Sequence, residues 1–142
     1  MQELRKVSDF RNFPVKALES ATSIDELHGI SKAHKLHGLN GQVLRVAYLN
    51  WLYRRLNCTS FIETGTRYGY TAITARRLLR APVYSVELMK FNYWRAKVLG
   101  WLTFGPSRDL RLTRGDSRVT LRHWLSGDLP GARPMIYLDA HF

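Results

Sequence analysis

The run Phe61-Ile62-Glu63-Thr64-Gly65-Thr66-Arg67-Tyr68-Gly69-Tyr70-Thr71 joins an apolar stretch, an acid at its end, a pair of glycines and the opening of a helical pattern. Residues of these types in this order suit a turn that holds a nucleotide-like ligand. A chain leaving the carboxyl end of a strand must bend sharply there. Glycine lets the backbone come close to a ligand, so that the N–H groups at the head of the next helix face it. Val83-Tyr84-Ser85-Val86-Glu87 follows, a second strand pattern ending in a carboxylate. It lies about 20 residues past the glycine turn, the interval at which βαβ cofactor sites place a ribose-binding acid. A plain turn is the alternative for the glycine pair alone, and the carboxylate at this interval is what favours ligand contact.

The elements that must position these residues alternate from Ser60 onward. Phe61–Thr64, Val83–Glu87, Leu110–Thr113 and Met135–Leu138 read as strands, and Tyr70–Arg80, Met89–Leu102 and Ser117–Leu125 as helices. Repeated βα units of this kind build a parallel sheet with right-handed crossovers and helices on both faces, and ligands bind at the carboxyl ends of its strands. The acids obey that rule. Of the six after Ser60, Glu63, Glu87, Asp116 and Asp139 fall at or just past a strand end, and Asp109 and Asp128 do not.

Four pieces in order, Glu63-Thr64-Gly65-Thr66-Arg67-Tyr68-Gly69, Val83-Tyr84-Ser85-Val86-Glu87-Leu88, Gly115-Asp116-Ser117 and Tyr137-Leu138-Asp139-Ala140-His141, resemble the first half of a class I S-adenosylmethionine-dependent methyltransferase. The resemblance covers residues 60–142. It implies a Rossmann-like α/β fold whose first four strands lie in the order 3-2-1-4. It further implies S-adenosylmethionine as cofactor, with Gly65, Thr66 and Gly69 shaping the loop around the methionine part and Glu63 orienting that loop. Glu87 would accept hydrogen bonds from the ribose hydroxyls, and Asp116 with Ser117 would lie by the adenine edge. Asp139 would face the methionine amine, the acceptor or, in some branches, a divalent metal, for which the sequence offers no support of its own. His141 would serve as general base. Asp116 has a competing reading as a helix cap, and His141 as a surface group close to a chain end. The acceptor expected from the resemblance is a small molecule or a sugar-containing metabolite.

Two departures from the family pattern carry expectations of their own. The family loop has a third glycine where this chain has Arg67. The sequence also stops at Phe142, just after the fourth strand, which leaves that strand as an apolar edge. Such an edge recruits other strands, so a fragment of a longer enzyme, or a chain that pairs this edge with a partner such as a second copy, is expected.

Residues 1–58 read as an N-terminal helical extension and residues 59–142 as the first half of the cofactor-binding domain. A capping hydroxyl precedes acids in Thr22-Ser23-Ile24-Asp25-Glu26-Leu27, and Gly38 to Gly41 marks a break. Val43–Leu56 reads as a helix whose stripe of Leu44, Ala47, Tyr48, Trp51 and Leu52 packs on the sheet, and Trp94, Trp101 and Trp124 are expected in the core. Cys58, the single cysteine, reads as a small buried side chain. His28, His34 and His37 have no partners at metal-ligand spacing.

The net charge of +11 raises a nucleic-acid partner. Sixteen of the 22 basic residues are arginines scattered along the whole chain, which favours solvated helix faces instead. No membrane partner is expected, and the absence of a leader pattern or a long uncharged run points to the cytoplasm. Two other functions compete with methyl transfer. A nicotinamide-dependent oxidoreductase would use a tighter glycine run, and a non-catalytic module would bind partners through its basic helices.

Overall fold

A computed structural model describes residues 2–128 and 133–139. Four helices come first: α1 (Gln2–Arg11), α2 (Val15–Ser20), α3 (Ile24–Ala33) and, after a single 3-10 turn at Leu39–Gly41, α4 (Val43–Arg55). The βα units follow as β1 (Ser60–Thr64), α5 (Tyr70–Leu79), β2 (Val83–Glu87), α6 (Lys90–Phe104), β3 (Leu110–Arg114), α7 (Ser117–His123), a π-helical turn at Trp124–Asp128 and β4 (Pro134–Leu138). All strand pairs are parallel and the order is β3-β2-β1-β4, as the βα pattern and the family resemblance require. Among the described residues β4 forms one edge of the sheet and β3 the other.

Side-chain alternation along the central strands divides the core into two layers. Phe61 of β1 and Val83 of β2 face α4 and α5, where they meet Val46, Leu49 and Leu78. Ile62, Tyr84 and Val86 point to the opposite face and pack under Trp124 beyond α7. Every residue of β1 and β2 is buried, the pattern of strands covered on both faces, whereas β3 and β4 are only partly buried. The helices ahead of β1 share this core, because Phe13, Leu18 and Leu39 pack in the same cluster as Phe61. The start of α3 carries a reciprocal cap: Ser23 accepts from the Glu26 N–H, while Glu26 takes the Thr22 N–H at 2.7 Å.

Two expectations about buried faces are corrected. In α4 the buried residues are Val43, Val46, Leu49, Asn50 and Tyr53, while Leu44, Tyr48 and Trp51 lie exposed. This helix has two apolar stripes, and the one richer in branched aliphatic residues faces the sheet. In α6 the inward residues are Ala96, Leu99, Gly100 and Thr103, which brings the helix so near the sheet that a Cβ on Gly100 would meet Leu110 Cδ2 at 2.9 Å. Trp94 and Trp101 are consequently turned outward, and only Trp124 enters the core. Cys58 is half-buried at the rim of the main cluster.

The step from β1 into α5 depends on Gly69. It caps the helix with φ at 82°, and a Cβ there would lie 2.9 Å from the Ala96 Cβ of α6. Both the left-handed backbone and the contact between helices therefore exclude a side chain. Gly69→Ala is expected to destabilise the chain by about 1–3 kcal/mol, read as a lower urea midpoint at unchanged slope. An unaltered midpoint would show that α5 and α6 do not approach this closely.

Candidate functional site

The carboxyl ends of β1 and β2 hold a polar seam inside an apolar sheet. Glu63 and Ser85 are register partners on the two strands. Ser85 Oγ donates to Glu63 Oε2 at 2.6 Å and lies 2.5 Å from Thr66 Oγ1 in the loop above. Glu63 is 1% exposed, and burial pushes its carboxyl up to about 8. The Ser85 hydroxyl opposes that rise, and the nearby charges of Asp139 and Glu87 add to it. At neutral pH Glu63 is therefore protonated, and it serves as a neutral strut beneath the loop rather than as a charge facing outward.

The loop rests on this strut. The N–H groups of Gly65 and Thr66 both donate to the Val86 carbonyl, at 3.0 and 3.2 Å, and Gly69 N–H donates to the Thr66 carbonyl at 2.8 Å. Gly65 sits at φ 82° and Arg67 at φ 50°. Arg67 thus holds a left-handed backbone conformation that non-glycine residues adopt infrequently. The Arg67 N–H donates to Glu87 Oε2 at 2.6 Å, and the Met89 N–H donates to Oε1 at 2.8 Å. Glu87 is consequently locked in place by one backbone donor on each oxygen, and it closes the β1–α5 loop over the end of β2.

Asp139 follows β4, and its N–H donates to the Thr64 carbonyl at 3.2 Å. It thereby joins Glu63, Gly65, Thr66, Gly69 and Glu87 in one cluster at the carboxyl edge of the sheet. Gly115 is linked to the same edge by its N–H, 3.0 Å from the Glu87 carbonyl. Asp116 caps α7, accepting the Arg118 N–H at 2.8 Å, and its other oxygen receives Arg118 Nη2 at 2.6 Å. The hydrogen bonds from Arg118 hold its carboxyl down at about 2. Ser117 opens that helix. His141 lies outside the described residues. Among the described residues no three His, Cys, Asp or Glu side chains converge as a metal site.

Two contributors were not singled out from the sequence. Thr71, buried in the first turn of α5, accepts the Leu39 N–H at 3.1 Å and joins Ser85 in opposing the rise of the Glu63 carboxyl, so the turn before α4 is tied to the site. A hydroxyl in the first turn after a glycine cap was its only signal. The second contributor is an aromatic brace. The Tyr70 ring meets Tyr68, Phe10 and His37, and the Arg95 guanidinium lies 4.4 Å above Tyr68. His37 in turn contacts the Asp9 carboxylate at 2.8 Å, a pairing across the fold that sequence spacing does not reveal. Helix α1 therefore supports the loop from the side.

A group whose folded value is raised favours the folded chain in its protonated state. Glu63 contributes full stability below pH 4.5, and this declines as the pH rises from 4.5 to about 8, where the folded chain must give up the proton. Glu63→Gln keeps a neutral side chain of the same shape. It is expected to fold at pH 7 and to lose this part of the pH slope in urea midpoints taken between pH 5 and 8. The same slope in both proteins would place the titrating group elsewhere.

No protein-family model and no curated protein matches the chain. Solved structures do match in fold. An O-methyltransferase from Bacillus cereus in complex with SAH superposes with a TM-score of 0.59 at 16% identity, over 94% of this chain and 63% of that one. The SAH-bound methyltransferase PaMTH1 of Podospora anserina gives 0.55 at 17% identity, over 98% and 58%. A putative O-methyltransferase from Klebsiella pneumoniae gives 0.56 at 22% identity, over 96% and 61%. The chain thus spans about three fifths of the length of these structures, and the match takes in the helices ahead of β1. Among the described residues no helix is long and apolar enough to cross a membrane. With its parallel order β3-β2-β1-β4 and its glycine turn after β1, the chain shares the Rossmann-like fold of these methyltransferase structures.

Proposed function

We propose that this chain carries the cofactor-binding half of a methyltransferase that uses S-adenosylmethionine and acts on a small-molecule or sugar-containing acceptor. The observation that carries the reading is Glu87. Its two oxygens each take one backbone N–H, at 2.6 and 2.8 Å, which fixes the carboxylate while leaving acceptor capacity for the paired hydroxyls of a ribose. The remaining donors and acceptors fit the same cofactor. The first turn of α5 offers N–H groups to a carboxylate, and the acids at the sheet edge favour a cation there. Two structures with the same fold, from Podospora anserina and Bacillus cereus, were solved with SAH bound.

Bound at this edge, S-adenosylmethionine supplies an activated methyl group on a positively charged sulfur. The residues of the chain contribute position. Gly65, Thr66 and Gly69 shape the loop, Glu63 supports it from below, and Asp139 offers an acceptor to an amine or to the incoming substrate. Asp116 and Ser117 are assigned to the adenine edge, and contact through Asp116 requires Arg118 to release one of its oxygens. His141 is the proposed base, since an imidazole takes a proton from an acceptor hydroxyl near neutral pH. Holding nucleophile and methyl group in line is the larger part of such catalysis. The oxidoreductase reading is disfavoured, because a dinucleotide pyrophosphate calls for a tighter glycine run than Gly65 and Gly69 supply.

Calorimetry on the purified chain with S-adenosylmethionine and, separately, with NAD is the direct test. Binding of the first alone is expected. Glu87→Ala should weaken it by roughly tenfold to a hundredfold, the effect of losing hydrogen bonds to a charged group, with an unchanged circular dichroism spectrum. Absence of heat at millimolar S-adenosylmethionine would overturn the proposal.

A further inference from the structure

Helix α6 is apolar on both sides, and among the described residues only one side is covered. Its small inward face packs on β2, β3 and α1, while Phe91, Trp94, Val98 and Trp101 are 67%, 52%, 54% and 61% exposed. These four follow one another at intervals of three, four and three residues, the spacing of a seam between two packed helices. Side chains at i, i+3, i+4 and i+7 frame the socket that receives a knob from a partner helix. Two such sockets lie side by side here, Phe91/Trp94/Arg95/Val98 and Arg95/Val98/Leu99/Leu102, and these same residues line a cavity of about 240 Å³.

Charge selects the occupant. Lys90 and Lys97 border the seam on one side and Arg95 on the other, and α6 contains no acid. Lys97 stays beside the seam with its Nζ 5.4 Å from the Trp94 ring. A second copy of the chain would set basic borders against basic borders, which is unfavourable in either orientation. An extension of the sheet past β4 would not reach this face, since α6 packs on β3 at the opposite edge. Sockets floored by Leu99 and walled by Val98 and Leu102 take aliphatic knobs and offer no stacking plane to a base. We infer that the outer face of α6 docks an amphipathic helix of another protein, which places aliphatic side chains in the two sockets and acidic side chains opposite Lys90, Arg95 and Lys97. This inference does not depend on the cofactor reading.

The test uses the full chain and two synthetic helices of about three heptads. Both carry Leu at the seam positions. One has Glu at the bordering positions and the other Lys, and their like charges keep each peptide monomeric. Binding is followed by the fluorescence of Trp94 and Trp101 and by calorimetry. The acidic peptide is expected to bind at least tenfold tighter than the basic one, and more weakly as salt rises. Val98→Asp should lower that affinity at least tenfold without moving the thermal midpoint, because the position is exposed. The double variant Lys90→Glu, Lys97→Glu should reverse the preference between the peptides. Equal binding of both peptides, or no binding at millimolar concentration, would overturn the inference. So would a chain dimer, or binding to phosphatidylcholine/phosphatidylglycerol vesicles, that Val98→Asp abolishes.

Discussion

The side chain of Glu63 lies between strands covered on both faces, where an ionised carboxylate would cost several kcal/mol. Holding its proton avoids that cost and leaves a polar group that must still be satisfied, and Ser85 opposite it in register supplies the partner. Ser85 also lies within hydrogen-bond reach of Thr66, the second residue of the turn above. The interior of the sheet and the shape of the loop are thus one hydrogen-bonded unit. Two hydroxyls connect the carboxyl of Glu63 to the loop.

Glu87 completes the unit from the other side. Its oxygens collect the N–H groups of Arg67 and Met89, donors that belong to two different loops. A carboxylate can bridge them because it offers acceptors only, and Arg67 can present its N–H there because its backbone turns left-handed. A glycine would take that turn with less strain, but the guanidinium above Tyr68 gives the arginine side chain a place to lie. The arginine at this turn therefore adds a side chain that lies against Tyr68 and covers the loop.

The strands and the crossovers were legible because each strand is a short run, mainly apolar in β1, β2 and β4 and alternating in β3, that ends in or is followed by glycine or an acid, and that punctuation is local. The direction in which a helix faces was not. In α4 both Leu44-Tyr48-Trp51 and Val43-Val46-Leu49 satisfy a helical period, and only the fit against Phe61 and Leu78 decides between them. In α6 size ran opposite to expectation, since small residues allow the close approach to β3 and aromatic residues are left outside. Of the candidate site, the positions of the turn, of Glu87 and of the acid after β4 at the strand ends were readable from spacing. Thr71 was not, because its partner Leu39 arrives from a turn 32 residues earlier, and neither was the contact of Asp9 with His37.

A net charge of +11 describes neither surface that matters. Eleven acids are present, and four of them, Glu63, Glu87, Asp116 and Asp139, fall at the ends of the four strands. One of the four is held neutral by burial and another is engaged by Arg118, so the acids of the carboxyl edge do not act as four equal charges. Around α6 the balance is reversed, with bases bordering an apolar seam and no acid on the helix. Electrostatic attraction acts over about a Debye length, ~8 Å at physiological salt, so each surface selects by its own sign. The acids at the strand ends suit a cation-bearing ligand and the bases around α6 an anionic one, on a chain whose overall charge would suggest only the second.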